Sequence, residues 1–251
     1  MMDTAQLSPW LLLVGPLAIV VAYTVFGLSG FGSTVVSVPI LAHFLPVSYL
    51  VPMMVLLDLG SSLSIGASGR EHRSKDELRR LIPWMFVGFV IGVTVLVGVP
   101  DRYLRAALGL FAATVGIYGI FNPVLSRTIS KLWAIPAGIA GGAIATIFGA
   151  GGPVYATYLA GRLRGKSEIR STISTLISIS AFSRAVIYAA TGLLLHATLL
   201  AGAALLAPFA YLGVRLGTRI HVGLTQEQMR RAVGALLLLT GASLLARSYF
   251  R

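Results

Sequence analysis

Two clusters of small residues stand where a backbone could do chemistry: Gly30-Phe31-Gly32-Ser33-Thr34 and Gly149-Ala150-Gly151-Gly152-Pro153. Glycine and proline are the poorest helix formers, yet both clusters sit in strongly apolar surroundings. A helix that stops and restarts there leaves free N–H groups and roughly half a positive charge at its new N-terminus, a natural seat for an anion. Ser33 and Thr34 add hydroxyl donors, Gly149, Gly151 and Gly152 allow close approach of backbone to ligand, and Pro153 suits the first turn of a new helix. Tyr155 and Tyr158 follow the second cluster and could add hydroxyls. A competing reading is that the glycines only allow helices to pack closely, as small residues do in membranes; it accounts well for Gly138, Gly142 and Thr146.

Two ionisable residues complete the set. Arg184 and Asp58 fall at similar depth inside apolar segments, where a charge marks a functional site by default. They could neutralise each other as an ion pair, or Arg184 could face an anion while Asp58 serves a coupled proton or cation. Beyond these groups the sequence offers no metal-ligand spacing, no nucleophile–base arrangement and no ATPase phosphate loop, so nothing points to an enzyme, a cofactor or ATP-driven transport by this chain. His43 and His196 read as surface histidines.

The elements that must hold these residues follow from composition. Of 251 residues 56% are hydrophobic and 11% charged, whereas soluble domains are about a quarter charged. Uncharged runs cover 4–57, 81–100, 106–126, 132–161, 185–214 and 232–246, and a bilayer-spanning helix needs about 20 apolar residues. The chain therefore reads as an all-α polytopic membrane protein. The net charge of +12 lies in short clusters between apolar runs, the pattern of loops facing anionic lipid rather than of nucleic-acid binding. The first ten residues lack the basic region of a cleaved signal, so the first apolar run is expected to be retained. Nothing in the sequence sets the oligomeric state.

The two clusters belong to a repeat. Residues 27–46 align with 146–165, bringing Gly30, Gly32 and Ser33 onto Gly149, Gly151 and Gly152. Further on, a fixed offset of 125 brings Gly88, Gly92, Arg105, Gly109 and Gly116 onto Gly213, Gly217, Arg230, Gly234 and Gly241. A glycine-rich chain produces some matches by chance, but five at one offset favour repetition. Run 132–161 is too long for one upright helix and too short for two crossings. The expectation is two repeats, 1–125 and 126–251, each a broken hairpin (about 10–45 and 132–162) followed by three spans. These spans are about 50–69, 81–99 and 103–121 in the first and 170–191, 198–217 and 229–248 in the second.

Charge chooses the orientation. If each broken segment turns back, one face collects 15 cations and the other four, with Arg184 inside the membrane; if each crosses once, the split is 9 against 10. The positive-inside rule favours turning back, and the halves then enter from opposite faces as an inverted-topology repeat. Both breaks would meet near the midplane. Ser74–Glu77 and Thr225–Gln228 match a capping box, the first expected to open a short interfacial helix before 81–99, the second to open the last span.

The segment Phe26–Leu41, "FGLSGFGSTVVSVPIL", resembles the first-repeat signature of the sulfite exporter TauE/SafE family, and Ile147–Gly165, "IFGAGGPVYATYLAGRLRG", resembles its second-repeat partner. "LGLFAATVGIYGI" and "VGALLLLTGASLLA" are also similar to that family, so the resemblance covers nearly the whole chain. It implies a bacterial inner-membrane transporter for a small sulfur-containing anion such as sulfite or an organosulfonate. Family members often carry three consecutive glycines in the first motif, where this chain has Gly32, Ser33 and Thr34. From the residues and the resemblance together, the expected substrate site is Gly30, Gly32, Ser33, Thr34, Gly149, Gly151, Gly152, Tyr155 and Arg184. Alternating access, an anion channel through the same breaks, and a membrane enzyme are the competing activities. Export of an anion down the membrane potential needs no coupling, while uptake needs the proton or cation for which Asp58 is the available carboxylate.

Overall fold

Glycine decides which helices touch. In the computed structural model, residues 9–29, 32–65, 73–121, 129–219 and 226–249 are described, and among them the regular structure is entirely helical. The ten α-helices are α1 (Pro9–Ser29), α2 (Ser33–Leu41), α3 (Val47–Ile65), α4 (Lys75–Gly98), α5 (Asp101–Phe121), α6 (Ala134–Phe148), α7 (Gly152–Ala160), α8 (Lys166–Ala190), α9 (Ala197–Arg219) and α10 (Gln226–Tyr249). A single 3-10 turn, Lys131–Trp133, leads into α6. Six helical segments are long and apolar enough to cross a bilayer, which makes the chain a multi-pass membrane protein.

The tightest pairs are α4 with α6, α1 with α9, and α5 with α10. A Cβ at Gly88 or Gly92 of α4 would strike the α6 backbone around Gly142 and Ala143, and one at Gly213 or Gly217 of α9 would strike α1 around Val20, Thr24 and Gly27. Gly109 and Gly116 of α5 meet Gly241 and Gly234 of α10 in the same way. In lipid no hydrophobic effect holds helices together, so backbone-to-backbone contact through small residues supplies the packing energy. The glycines that recur at the fixed offset of 125 are therefore packing glycines. The large apolar side chains on the outer faces of α4, α5 and α9, such as Val90, Leu110 and Leu205, are exposed for lipid.

The two short helices are of another kind. With nine residues each, α2 and α7 extend about 13–14 Å, less than half of a hydrocarbon core of about 30 Å. Neither crosses the membrane alone. Each follows a longer helix, α2 beginning just after Gly32 and α7 after a break at 149–151. Gly32 at the start of α2 has φ +102° and Gly149 at the end of α6 has φ +72°, left-handed conformations that a side chain makes costly.

One expected element differs. Ser74 is the N-cap of α4, but its side chain makes no cap bond; its backbone N–H donates to Thr172 Oγ1 at 3.0 Å instead. Glu77 does not close a capping box. It is buried and accepts from Tyr158 Oη at 2.6 Å, from Arg162 Nε and Nη2 at 3.1 and 3.0 Å, and from Arg80 Nη1 at 2.8 Å. Three donors drawn from α7, the turn after it and α4 itself outweigh one backbone N–H, so α4 runs unbroken from Lys75 and no separate interfacial helix forms. Thr225 of the second pattern lies outside the described residues.

Candidate functional site

Both breaks open onto one cavity. It is walled by Gly32, Ser33 and Thr34 from the first break, by Gly149, Gly151, Gly152 and Tyr155 from the second, and by Asp58 and Arg184 across from them. These are the residues singled out from the sequence, apart from Gly30, which lies outside the described residues. The space is small, about 20 Å³, roughly what one water molecule requires. Phe26, Val35, Ala145 and Ile177 are its apolar members. The two breaks are tied directly, because Thr34 Oγ1 donates to the carbonyl of Gly149.

A helix break presents carbonyls as well as amides, and the sign of the site depends on which are satisfied. Two of the last four carbonyls of α6, and that of its C-cap Gly149, are taken up by side chains. Arg184 Nη1 donates to Ala145 O at 2.7 Å, Tyr188 Oη donates to Thr146 O at 2.5 Å, and Thr34 takes Gly149 O. The first amides of α2 and α7 have no partner within their own helices, as at any helix start. With its negative end capped and its positive ends open, the break region favours a negative guest.

Asp58 and Arg184 share the cavity without pairing. Arg184 holds the α6 carbonyl, while Asp58 Oδ1 accepts from Tyr23 Oη and Ser33 Oγ, both at 2.8 Å. The ion pairs among the described residues are Glu77 with Arg80 and Arg162, Asp101 with Arg105, and Glu227 with Arg231. The ion-pair reading of Asp58 with Arg184 is thus not what the helices build, because α3 and α8 point the two groups at different partners.

Three buried donors on the wall have no hydrogen-bond partner: Tyr155 Oη, Ser180 Oγ and Arg184 Nε. Their residues are 1%, 2% and 2% exposed. A buried polar atom left unpaired costs about 1–3 kcal/mol, so three on residues lining one cavity mark a place prepared for an acceptor. Tyr158, the other tyrosine of α7, faces away to Glu77. Ser180 was not foreseen from the sequence. It stands one turn before Arg184 on α8, and that i, i+4 relation was the available signal, hidden among the many serines of the helix.

A prediction follows for the hydroxyls. Tyr155→Phe should leave the thermal midpoint unchanged or slightly raised, because it removes an unsatisfied group, while weakening anion binding about five- to tenfold, the worth of one hydrogen bond of about 1–1.5 kcal/mol. Parallel melting and titration of the variant check both halves.

A polytopic helical bundle that buries a polar cavity between two broken segments has the construction of a membrane transporter, whose irregular backbone is tolerated only where it lines such a cavity. The chain belongs to the sulfite exporter TauE/SafE family, whose sequence model matches residues 16–244. It is 26% identical over 193 residues to the probable inner membrane transporter protein TsaS of Comamonas testosteroni, an alignment covering 76% of this chain and 81% of that relative. No solved structure matches it significantly. The chain is a membrane transporter of the TauE/SafE type, a multi-pass inner-membrane protein.

Proposed function

We propose that this transporter is a secondary carrier that exports a small sulfur-containing oxyanion, such as sulfite or a short organosulfonate, by alternating access at the cavity between the breaks. The observation that carries the reading is the set of unpaired donors, Tyr155 Oη, Ser180 Oγ and Arg184 Nε, on residues that line the same cavity as the starts of α2 and α7. Tetrahedral and pyramidal oxyanions present several acceptor oxygens to such a wall, and the family's description names a sulfite exporter. The small volume supports a carrier over a channel, since a continuous pore would leave the site open on both sides.

The two halves, 1–125 and 126–251, are proposed as inverted repeats. Support comes from the pairing of helices. Under the equivalence of α1–α5 with α6–α10, the α4–α6 contact maps onto α9–α1, and α5–α10 maps onto itself. Repacking of these equivalent interfaces would carry the cavity from one face to the other. Topology is tested by single cysteines at Gly165 and Leu224 in a chain that has none of its own. Gly165 has room, its nearest neighbour standing 3.5 Å from an added Cβ; Leu224 lies outside the described residues. Both should react from the cytoplasmic side only; opposite accessibility would overturn the paired crossing of α8 and α9, and labelling of both from the outer side would overturn the orientation proposed for the second repeat.

Purified protein in proteoliposomes tests the activity. A carrier takes up labelled sulfite saturably and is accelerated by unlabelled sulfite on the far side. Flux that rises linearly without counter-flow stimulation would instead mark a channel through the same breaks.

A further inference from the structure

Asp58 has no evident duty in a carrier that merely holds an anion, and its position is awkward for one. It is 5% exposed, lies against the same cavity as Arg184, and keeps its own set of donors in Tyr23 and Ser33. We propose that Asp58 is the proton-binding site of the transporter: the anion enters the cavity with one proton taken up by the Asp58 carboxylate, so that anion and proton bind together. This rests on the functional reading above, that the cavity binds an oxyanion.

The cavity wall contains one cation, Arg184, and one acid, Asp58, beside the neutral hydroxyls of Tyr155, Ser180, Ser33 and Thr34. With Asp58 ionised, the empty site is neutral. A bound monoanion then makes two negative charges against one guanidinium, in a water-poor space deep in the protein, where like charges a few ångströms apart cannot both be held cheaply. Taking a proton onto Asp58 restores neutrality, and the anion replaces Asp58 as the counter-charge of Arg184. The proton forms one O–H bond on the carboxyl, which can then donate toward an oxygen of the guest.

Among the described residues no other titratable group near Asp58 can do this. From α1 it faces Tyr23, which already donates to it. From α7 and α8 it shares the cavity with Tyr155 and Arg184. Helices α2 and α6, also packed near it, carry no titratable side chain, and those of α5 and α9 do not line the cavity. The missing ion pair fits the same logic. A direct Asp58–Arg184 bridge would close the place the anion must occupy, whereas separate partners for the two charges keep it available.

A consequence is that the loaded carrier moves no net charge for a monoanion. The membrane potential then drops out, and net export requires an outward anion gradient that exceeds the inward proton gradient, whereas a larger proton gradient would run the same carrier toward uptake.

The test measures binding of methanesulfonate, which stays fully ionised from pH 5 to 9, and of sulfite to the purified protein as pH is raised. Wild type should lose affinity for methanesulfonate about tenfold per pH unit on the alkaline side of the Asp58 titration, the slope for one linked proton. Asp58→Asn, which keeps an acceptor oxygen for Tyr23 and Ser33, should bind methanesulfonate with no pH slope and sulfite with a slope one unit smaller than wild type. A pH-indicator dye in weak buffer reads the same event without any variant, as one proton taken up per methanesulfonate bound. Wild-type binding without a slope or proton uptake, or an unchanged slope in D58N, overturns the inference while leaving the carrier reading intact. If wild type binds neither anion, the functional reading falls and this inference with it.

Discussion

Arg184→Ala should lose anion binding by roughly 10- to 100-fold while melting within a few degrees of wild type. The first half follows from the guanidinium being the cation among the described residues that line the cavity, with an unpaired Nε; hydrogen bonds to charged groups contribute about 1.5–3 kcal/mol, and each 1.4 kcal/mol is tenfold. The second half follows from what Arg184 leaves behind. Its structural bond is to Ala145 O, but that carbonyl also accepts from the Gly149 N–H at 2.9 Å, so the end of α6 stays satisfied. Arg184→Lys is the informative companion. It keeps the charge and loses the fork that lets one side chain hold the α6 carbonyl and face the cavity together, so it should recover only part of the affinity. Titration calorimetry with sulfite, alongside thermal melting, separates the two effects; wild-type affinity in R184A would reduce Arg184 to a structural cap.

The largest loss of stability should come from the helix contacts rather than from the cavity. Gly88→Ala and Gly142→Ala place a methyl group against the facing backbone, at 2.8 Å from Ala143 N in the first case and 3.0 Å from Met85 C in the second. Backbone cannot turn aside as a flexible side chain can, so α4 and α6 must separate and forfeit the close contact that replaces the hydrophobic effect in lipid. A cost of about 2–4 kcal/mol per site is expected, at or beyond the upper end for overpacking. Gly60→Ala in α3 is the control, because nothing lies within 4 Å of an added Cβ. It should be neutral or stabilising by about 0.5–1 kcal/mol through helix propensity and reduced freedom of the unfolded chain. Thermal unfolding in detergent distinguishes them, and equal behaviour of G88A and G60A would remove the glycine seams as the basis of packing.

Those seams also show how far the sequence could be read. The repeat of glycines at a fixed offset was visible in the letters, but not its meaning, because a glycine that starts a break and a glycine that admits a neighbouring helix look alike. Gly32 and Gly149 prove to be conformational, with positive φ; Gly88, Gly92, Gly213 and Gly217 prove to be contacts. Glu77 was misread for a related reason. Its spacing from Ser74 matches a cap, and only the arrival of Tyr158 and Arg162 from the other half of the chain turns it inward. Ser180 carried no mark beyond its distance from Arg184.

What the sequence determined by itself is what the bilayer forces on any chain: apolar runs of spanning length, the places where a helix must break, and the two charges left inside. These depend on local composition and on the cost of unpaired backbone in lipid, so they need no knowledge of neighbours. Tertiary structure alone decided who answers whom. Arg184 meets a carbonyl of α6 instead of Asp58, Tyr23 and Ser33 meet Asp58, Tyr158 turns to Glu77 and Tyr155 to the cavity. Partners of this kind are chosen by how each helix is rotated against the next. That rotation is set by glycine contacts distributed over the whole chain, so no single stretch of residues specifies it.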